Sequence, residues 1–247
     1  MSPTVSLVVP VHNEEAIIVD QIQKIVDACR RMGLVFEVVL VENGSRDRTA
    51  ALCRDLAARF AEVRVLPLPD GDYGVALRHG ILSAAHDVVT IFNVEFWSVE
   101  FIDIALSALK TRALVIGSKS APGASDDRGL LRRAVTSSYN RMLRWIWGFD
   151  GTDTHGMKAF WRAPLVPMVE ACVTSGWVFD TELVLRAQRA GFSRIELPTD
   201  VSEVRPPSIG ALARRVPFVL TNLWKLSRHV QPWARTRRRA ARPHRVA

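Results

Sequence analysis

Short runs of β-branched residues alternate with longer amphipathic stretches through the first half of the chain, and that alternation restricts the fold more than any other feature. Val5 to Pro10, Phe36 to Glu42, Val63 to Leu66, Val88 to Phe92 and Ala113 to Gly117 read as strands. Glu14 to Met32 places Ile17, Ile18, Ile22, Ile25, Val26 and Cys29 at helical spacing, and Arg48 to Phe60 does the same with Ala51, Leu52, Leu56 and Phe60. Strands joined through helices pair in parallel, so the expected class is α/β with a mostly parallel sheet flanked by helices. Asn13 and Asp47 stand where side chains can cap the first amides of the two helices.

After Gly117 the alternation stops. Ser118 to Arg128 is rich in Ser, Gly, Asp and Pro, the composition of a surface loop, and is expected to form a lid on the acceptor side. Helices are expected at Leu130 to Trp147 and Asp180 to Ala190, and strands at Met157 to Trp161 and Ser193 to Pro198, giving a mixed second half. Pro217 is expected to split the last apolar stretch into two amphipathic pieces. The division expected is a main domain over 1–208, amphipathic helices over 209–233 and a basic tail over 234–247.

The tail matters because it carries most of the net charge. Of a formal +8, six charges come from Arg235, Arg237, Arg238, Arg239, Arg242 and Arg245, with no acid among them. Such a tail suits an anionic membrane face or simple solvation. Nucleic acid is disfavoured, because the arginines are not interleaved with stacking aromatics. Cys29, Cys53 and Cys172 lack metal-ligand spacing and read as buried thiols. The first apolar run is too short for a signal peptide, and Val216 to Trp224 falls short of the roughly 20 residues that cross a bilayer. The expected location is cytoplasmic, with peripheral contact to the inner membrane face.

In a parallel α/β sheet, ligands bind beyond the carboxyl ends of the strands. Three polar sets stand there: Pro10-Val11-His12-Asn13-Glu14, Glu42-Asn43-Gly44-Ser45-Arg46-Asp47 and Asn93-Val94-Glu95. Taken singly, each contains ordinary cap and turn residues. Their coincidence at three strand ends points to one crevice.

The first two sets resemble the opening motifs of family 2 glycosyltransferases, the second being close to an Asp-Asp-Gly-Ser-x-Asp-x-Thr run. Further matches are Gly74 to Ile81, Gly117-Ser118-Lys119, Asp153-Thr154-His155-Gly156 and Phe179 to Leu183, so the resemblance spans residues 4–210. It is strongest toward polyprenyl-phosphate glycosyltransferases of the dolichol-phosphate mannose synthase kind. The resemblance implies a Rossmann-like GT-A fold and inverting transfer from a nucleotide sugar of the GDP-mannose or UDP-glucose type. It also implies that Pro10, Glu14, Glu42, Asp47, Gly74 and Arg78 bind the donor, with Glu42 standing where the family usually has Asp. Asn93 and Glu95 take the place of the family's Asp-x-Asp metal motif, leaving one carboxylate where two are usual, so Mg²⁺ or Mn²⁺ would be held weakly.

Departure of the nucleoside diphosphate builds negative charge, which Lys119, Arg133 or a metal can stabilise. A phosphate monoester nucleophile is already ionised near neutral pH, its second pKa being about 6, and needs no strong base. The resemblance places Lys119, Arg133 and Arg205 in a phosphate cradle, with Ser137 as a further donor; Arg132 is the alternative in register to Arg133. A hydroxyl acceptor would instead need a carboxylate base, for which Asp180, Glu182 and Asp153 are the candidates, Asp180 being equally suited to cap its helix. His155 stands where the family has a small residue. Trp97 is either a departure at the metal motif or a packing residue, and one of Trp145 and Trp147 is expected in the core, since they lie on opposite helix faces. The competing readings are a soluble family 2 enzyme with a hydroxyl acceptor and a nucleotide-sugar binding module that no longer turns over.

Overall fold

The computed structural model describes residues 3–200 and 209–230; for 209–215 it describes the helical backbone. In chain order the elements are β1 (Val5–Val11), α1 (Ile18–Arg31), β2 (Phe36–Asn43), α2 (Thr49–Arg59), β3 (Val63–Leu68), α3 (Tyr73–Ser83), β4 (Val88–Ile91) and α4 (Val99–Ala108). There follow β5 (Leu114–Ser118), α5 (Leu130–Trp147), β6 (Lys158–Trp161), α6 (Arg162–Ala171), α7 (Val178–Arg189), β7 (Arg194–Pro198) and α8 (Ile209–His229). The strands form one seven-stranded sheet in the order β3-β2-β1-β4-β6-β5-β7. All pairings are parallel except those of β6, which runs antiparallel to both β4 and β5.

Side-chain alternation sorts the core into two layers. Val5, Leu7, Val9 and Val11 of β1 meet Ile18, Ile22, Ile25 and Cys29 of α1, Leu56 of α2 and Phe101 of α4. Val8, Val39 and Val41 face the other way, toward Leu77 and Ile81 of α3, Phe179 and Leu183 of α7, and Leu223 and Leu226 of α8. Truncating a fully buried isoleucine such as Ile22 in this packing costs about 2–5 kcal/mol. At the sheet end away from the strand carboxyl termini, the Glu37 carboxylate takes Ser6 Oγ at 2.5 Å, the Ala85 amide at 2.7 Å and Arg64 Nε at 2.5 Å.

Several expectations shift. α1 starts at Ile18, because residues 15–17 form a turn, and no side chain caps it. Asn13 instead adopts a left-handed conformation, φ 56°, and its Oδ1 accepts the Arg46 amide at 2.8 Å. Asp47 does meet the start of α2, accepting the Thr49 amide at 2.9 Å. α8 is one helix running through Pro217 rather than two pieces. A proline forfeits one ladder bond at about 3 kcal/mol, and burial of Leu223, Leu226 and Val230 offsets it. Trp147 is 3% exposed and Trp145 83%, the division expected of opposite faces. The three cysteines are buried and unpaired. No described helix is long and apolar enough to cross a membrane. Arg205 and the basic tail lie outside the described residues.

Candidate active site

The carboxyl ends of β1, β2 and β4 lie side by side, and their turns are tied to one another by side chains. His12 Nδ1–H donates to the Asn43 carbonyl at 2.7 Å, which leaves Nε2 to accept from Asn13 Nδ2 at 3.0 Å. The Asn13 amide donates to Ser45 Oγ, the Glu14 amide to Thr49 Oγ1 at 2.8 Å, and the Glu15 amide to Asp47 Oδ2 at 3.3 Å. Glu42 is buried at the end of β2, with Oε1 accepting the Ser45 amide at 2.7 Å. Asn43 Oδ1 accepts the Asp72 amide at 2.9 Å, bringing the turn after β3 into the same cluster. Asp72 Oδ1 in turn takes two amides, Val75 at 3.0 Å as the cap of α3 and Gly176 at 2.8 Å on the turn before α7. Pro10 is buried within β1, next to the last residue of that strand.

Asn93 and Glu95 sit exposed on a tight turn after β4, closed by the Phe96 amide on the Asn93 carbonyl at 3.0 Å. Among the described residues, no three His, Cys, Asp or Glu side chains gather into a metal cluster. One carboxylate and one amide oxygen nevertheless suit a hard divalent ion held chiefly by a diphosphate, since Mg²⁺ keeps few protein ligands at such sites. Trp97 is a packing residue, with Nε1 donating to Gln21 Oε1 at 2.9 Å and its ring against Phe92.

Because β6 is antiparallel, its beginning faces the crevice. The turn before it carries Asp153, which is 1% exposed and pairs with Lys119 from the end of β5. Burial pushes the Asp153 carboxyl up, but the Lys119 ammonium, His155 and the hydrogen bonds to it outweigh that, so it titrates below its ordinary range. Gly156 is needed here, because a Cβ would lie 1.5 Å from the Gly117 carbonyl oxygen. A cavity of about 540 Å³ opens between the 118–129 segment and α5, lined by Lys119, Arg133, Ser137, Asn140, Arg144 and Thr152. The segment over it is irregular and partly buried, with Asp126 paired to Arg128 at 2.7 Å.

Comparison with known proteins places this architecture. The model of "Glycosyl transferase family 2" matches residues 6–164, from β1 to the start of α6. The chain belongs to glycosyltransferase family 2. Among curated family 2 relatives, glycosyltransferase AglD of Haloferax volcanii is 29% identical over 79% of this chain and 32% of its own length. An undecaprenyl-phosphate 4-deoxy-4-formamido-L-arabinose transferase of Pectobacterium atrosepticum is 28% identical over 68% of this chain and 51% of that protein. Dolichyl-phosphate beta-glucosyltransferase ALG5C of Trichomonas vaginalis is 26% identical, covering 81% and 64%. The chain thus spans between a third and about two thirds of these relatives. The fold is GT-A: mannosyl-3-phosphoglycerate synthase from Rubrobacter xylanophilus superposes with a TM-score of 0.69 at 15% identity, covering 99% of this chain and 79% of that one. Glucosyl-3-phosphoglycerate synthase from Mycobacterium tuberculosis, solved with Mn²⁺, uridine diphosphate and phosphoglyceric acid, gives 0.64 at 20% identity, covering 91% and 78%.

Within this family 2 domain, four of the residues expected at the site serve the scaffold. Arg78 is engaged within the protein: its guanidinium donates to the carbonyls of Cys172 at 2.5 Å and Glu170 at 2.8 Å, bracing α3 against the end of α6. Gly74 lets α3 press on the turn before α7, where a Cβ would stand 2.7 Å from the Gly176 carbonyl oxygen. Glu182 is fully buried, with one oxygen taking the Val173 and Thr174 amides and the Thr174 hydroxyl, the other pairing with Arg186 at 2.7 Å. Asp180 caps nothing; in the first turn of α7 it forms a buried pair with Lys158 at 2.7 Å and receives Tyr73 Oη–H at 3.4 Å. Asp72, Asn140, Arg144 and Thr152 went unread in the sequence. Asp72 alone carried a local signal, an Asp directly before a helix.

Proposed function

We propose that the chain transfers a hexosyl group from a nucleoside-diphosphate sugar to a polyprenyl phosphate at an anionic membrane surface. The observation that carries this reading is the cavity beside the crevice lined by Lys119, Arg133 and Arg144, whose one lining carboxylate, Asp126, is paired with Arg128. An ionised phosphate oxygen attacks the anomeric carbon, the bond from that carbon to the diphosphate oxygen breaks, and the nucleoside diphosphate leaves with the bonding pair. The acceptor brings its own negative charge, so the protein's task is to hold two anions together, which Lys119, Arg133 and Ser137 do on the acceptor side. Glu14, Glu42 and Asp47 are the carboxylates of the crevice that meet base and ribose. Asn93 and Glu95 would hold Mg²⁺ or Mn²⁺, which supplies charge neutralisation on the leaving diphosphate when bound.

The membrane side follows from α5 and α8. Leu131, Val135 and Trp145 lie on one outward stripe of α5, 55%, 44% and 83% exposed, on a different face of the helix from the residues that line the cavity. On α8, Val216, Leu220 and Trp224 repeat every four residues and are also exposed, with Arg228 stacked 3.9 Å over Trp224. Apolar stripes bordered by arginine suit an interfacial helix, and each cation near an anionic leaflet adds about 1 kcal/mol. Such a site is peripheral, on the cytoplasmic face where nucleotide sugars are available.

The test is transfer of radiolabel from a panel of nucleotide sugars into organic-extractable lipid, with added polyprenyl phosphate and Mg²⁺, Mn²⁺ or EDTA. Label in the lipid phase supports the reading, and inhibition by EDTA supports the Asn93 and Glu95 assignment. Label confined to a water-soluble product, or donor binding without turnover, would overturn it.

A further inference from the structure

His155 stands at the junction of β6, α5 and α7, and both its ring nitrogens are bonded within the protein. Nε2 lies 3.1 Å from the Trp177 carbonyl oxygen and Nδ1 lies 3.0 Å from Thr154 Oγ1. Thr154 Oγ1 is 3.0 Å from Thr181 Oγ1, and Thr181 Oγ1 is 3.0 Å from the Tyr139 hydroxyl. Both threonines are fully buried.

One carbonyl sets the direction of every proton in this chain. A carbonyl oxygen only accepts, so Nε2 carries the ring proton and Nδ1 of the neutral imidazole must accept. Thr154 therefore donates to Nδ1. A hydroxyl has a single proton, so Thr154 must accept from Thr181, and Thr181 must accept from Tyr139. The tyrosine ring also packs against the imidazole at 5.6 Å between centroids. Tyr139 belongs to α5, the helix that carries Arg133, Ser137 and Asn140 along the cavity. His155 follows Asp153 by two residues and donates its own amide to Asp153 Oδ1 at 3.0 Å, on the carboxylate that holds Lys119.

We propose that His155 is a positioning residue of the anion cradle, whose neutral ring directs the Thr154–Thr181–Tyr139 chain and so fixes α5 against the turn that carries the Lys119–Asp153 pair. The inference rests on the acceptor reading above only for what the cradle binds. Protonation of Nδ1 turns it into a donor and reverses the chain: Thr154 then donates to Thr181, Thr181 to the Tyr139 oxygen, and the phenol proton turns outward. The charges facing the ring are Asp153 beside it, Asp180 from α7, Lys119 from the end of β5 and Lys158 from β6. Packing among protein atoms holds the imidazole below its ordinary value; the two aspartates oppose that and the two lysines reinforce it. The Tyr139 phenol is pushed up to about 12, chiefly by burial, and stays protonated across the range in which His155 titrates.

The decisive measurement is NMR on protein labelled with ¹⁵N-histidine and ¹³Cζ-tyrosine, which needs no substrate and has only two tyrosines to resolve. At pH 7.5, His155 is expected with its proton on Nε2. Between roughly pH 7.5 and 4.5, a span bracketing the ordinary histidine pKa, the Tyr139 Cζ resonance is expected to move with the His155 midpoint. Thr154→Val is expected to abolish that shared midpoint while His155 still titrates; Thr181→Val serves if that variant does not fold. In the transfer assay, His155→Ala is expected to raise the acceptor KM about tenfold, the loss of one or two hydrogen bonds, with the donor KM unchanged. A proton on Nδ1 at neutral pH, a Tyr139 resonance that ignores His155, or a shared midpoint that survives Thr154→Val overturns the proposal. So does a His155→Ala variant that shifts both KM values alike. Failure to find any transfer leaves the NMR result to decide the proposal, and bears on the acceptor reading alone.

Discussion

The two sides of the crevice are built on different principles. On the side proposed for the donor, strand ends are laced by single hydrogen bonds between near-surface turns, His12 to Asn43, Asn13 to Ser45, Glu14 to Thr49. On the side proposed for the acceptor, charges are buried in pairs, Lys158 with Asp180 and Lys119 with Asp153. The donor side thus tolerates the loss of one link, because water can replace it. The acceptor side cannot, since removal of one partner leaves an uncompensated charge in the core.

Asp180→Ala should draw that contrast most sharply. Both members of the Lys158–Asp180 pair are 1% exposed, and losing the carboxylate is expected to lower the urea-unfolding free energy by about 3–5 kcal/mol. A loss below 1 kcal/mol would erase the distinction between the two sides. Arg133→Gln tests function without stability: the transfer rate is expected to fall about a hundredfold, as when one donor to a developing anion is removed, while donor affinity measured calorimetrically stays put. A parallel drop in donor affinity would move Arg133 out of the acceptor cradle.

The mirror experiment is Glu42→Ala. Nucleotide affinity should weaken about tenfold, with the melting temperature little changed, because the Ser45 amide that Glu42 holds can turn to water. Lys119→Met sharpens the comparison through pH. In the native protein the Asp153 carboxyl lies below its ordinary value, so its contribution to stability is present above that value, near 4, and is lost as pH falls further. Without the ammonium, burial acts unopposed and raises the carboxyl. On the Asp153 account, the urea midpoint should therefore fall from roughly pH 5 to 3 in the native protein but hold or rise over that span in the variant, because a raised carboxyl takes its proton more readily in the folded state. Smallest of all is Lys24→Ala on α1: its pair with Asp20 is more than half exposed on both sides, and the change should stay within about 0.5 kcal/mol.

The same contrast explains what could be read from sequence. Strand ends in a parallel sheet have a local signature, an apolar run followed by polar turn residues, so the crevice was legible from Pro10 to Asp47 and at Asn93. Trp97 was read both ways, and its bond to Gln21 decides for packing. The acceptor side depends on contacts far apart in the chain. Arg78 looked like a donor ligand because its partners, the carbonyls of Glu170 and Cys172, lie more than 90 residues away. Glu182 and Asp180 looked like free carboxylates for the same reason. A lone lysine in the apolar run of β6 gave no hint that it would meet Asp180, and Tyr139 gave none of its link to Thr181. Asn13 was misread as a cap because a polar residue before a helix and a polar residue in a left-handed turn look alike in sequence.

The reversed direction of β6 bears on how such an enzyme diversifies. The turns gathered at the ends of β1, β2 and β4 precede residue 97, apart from the link of Asp72 to Gly176, and the residues that line the cavity fall between Lys119 and Thr152, after β5 and before β6. On the proposed reading, a change confined to that stretch alters what the cavity accepts and leaves in place the strand ends proposed for the nucleotide, provided that the Lys119–Asp153 pair is kept.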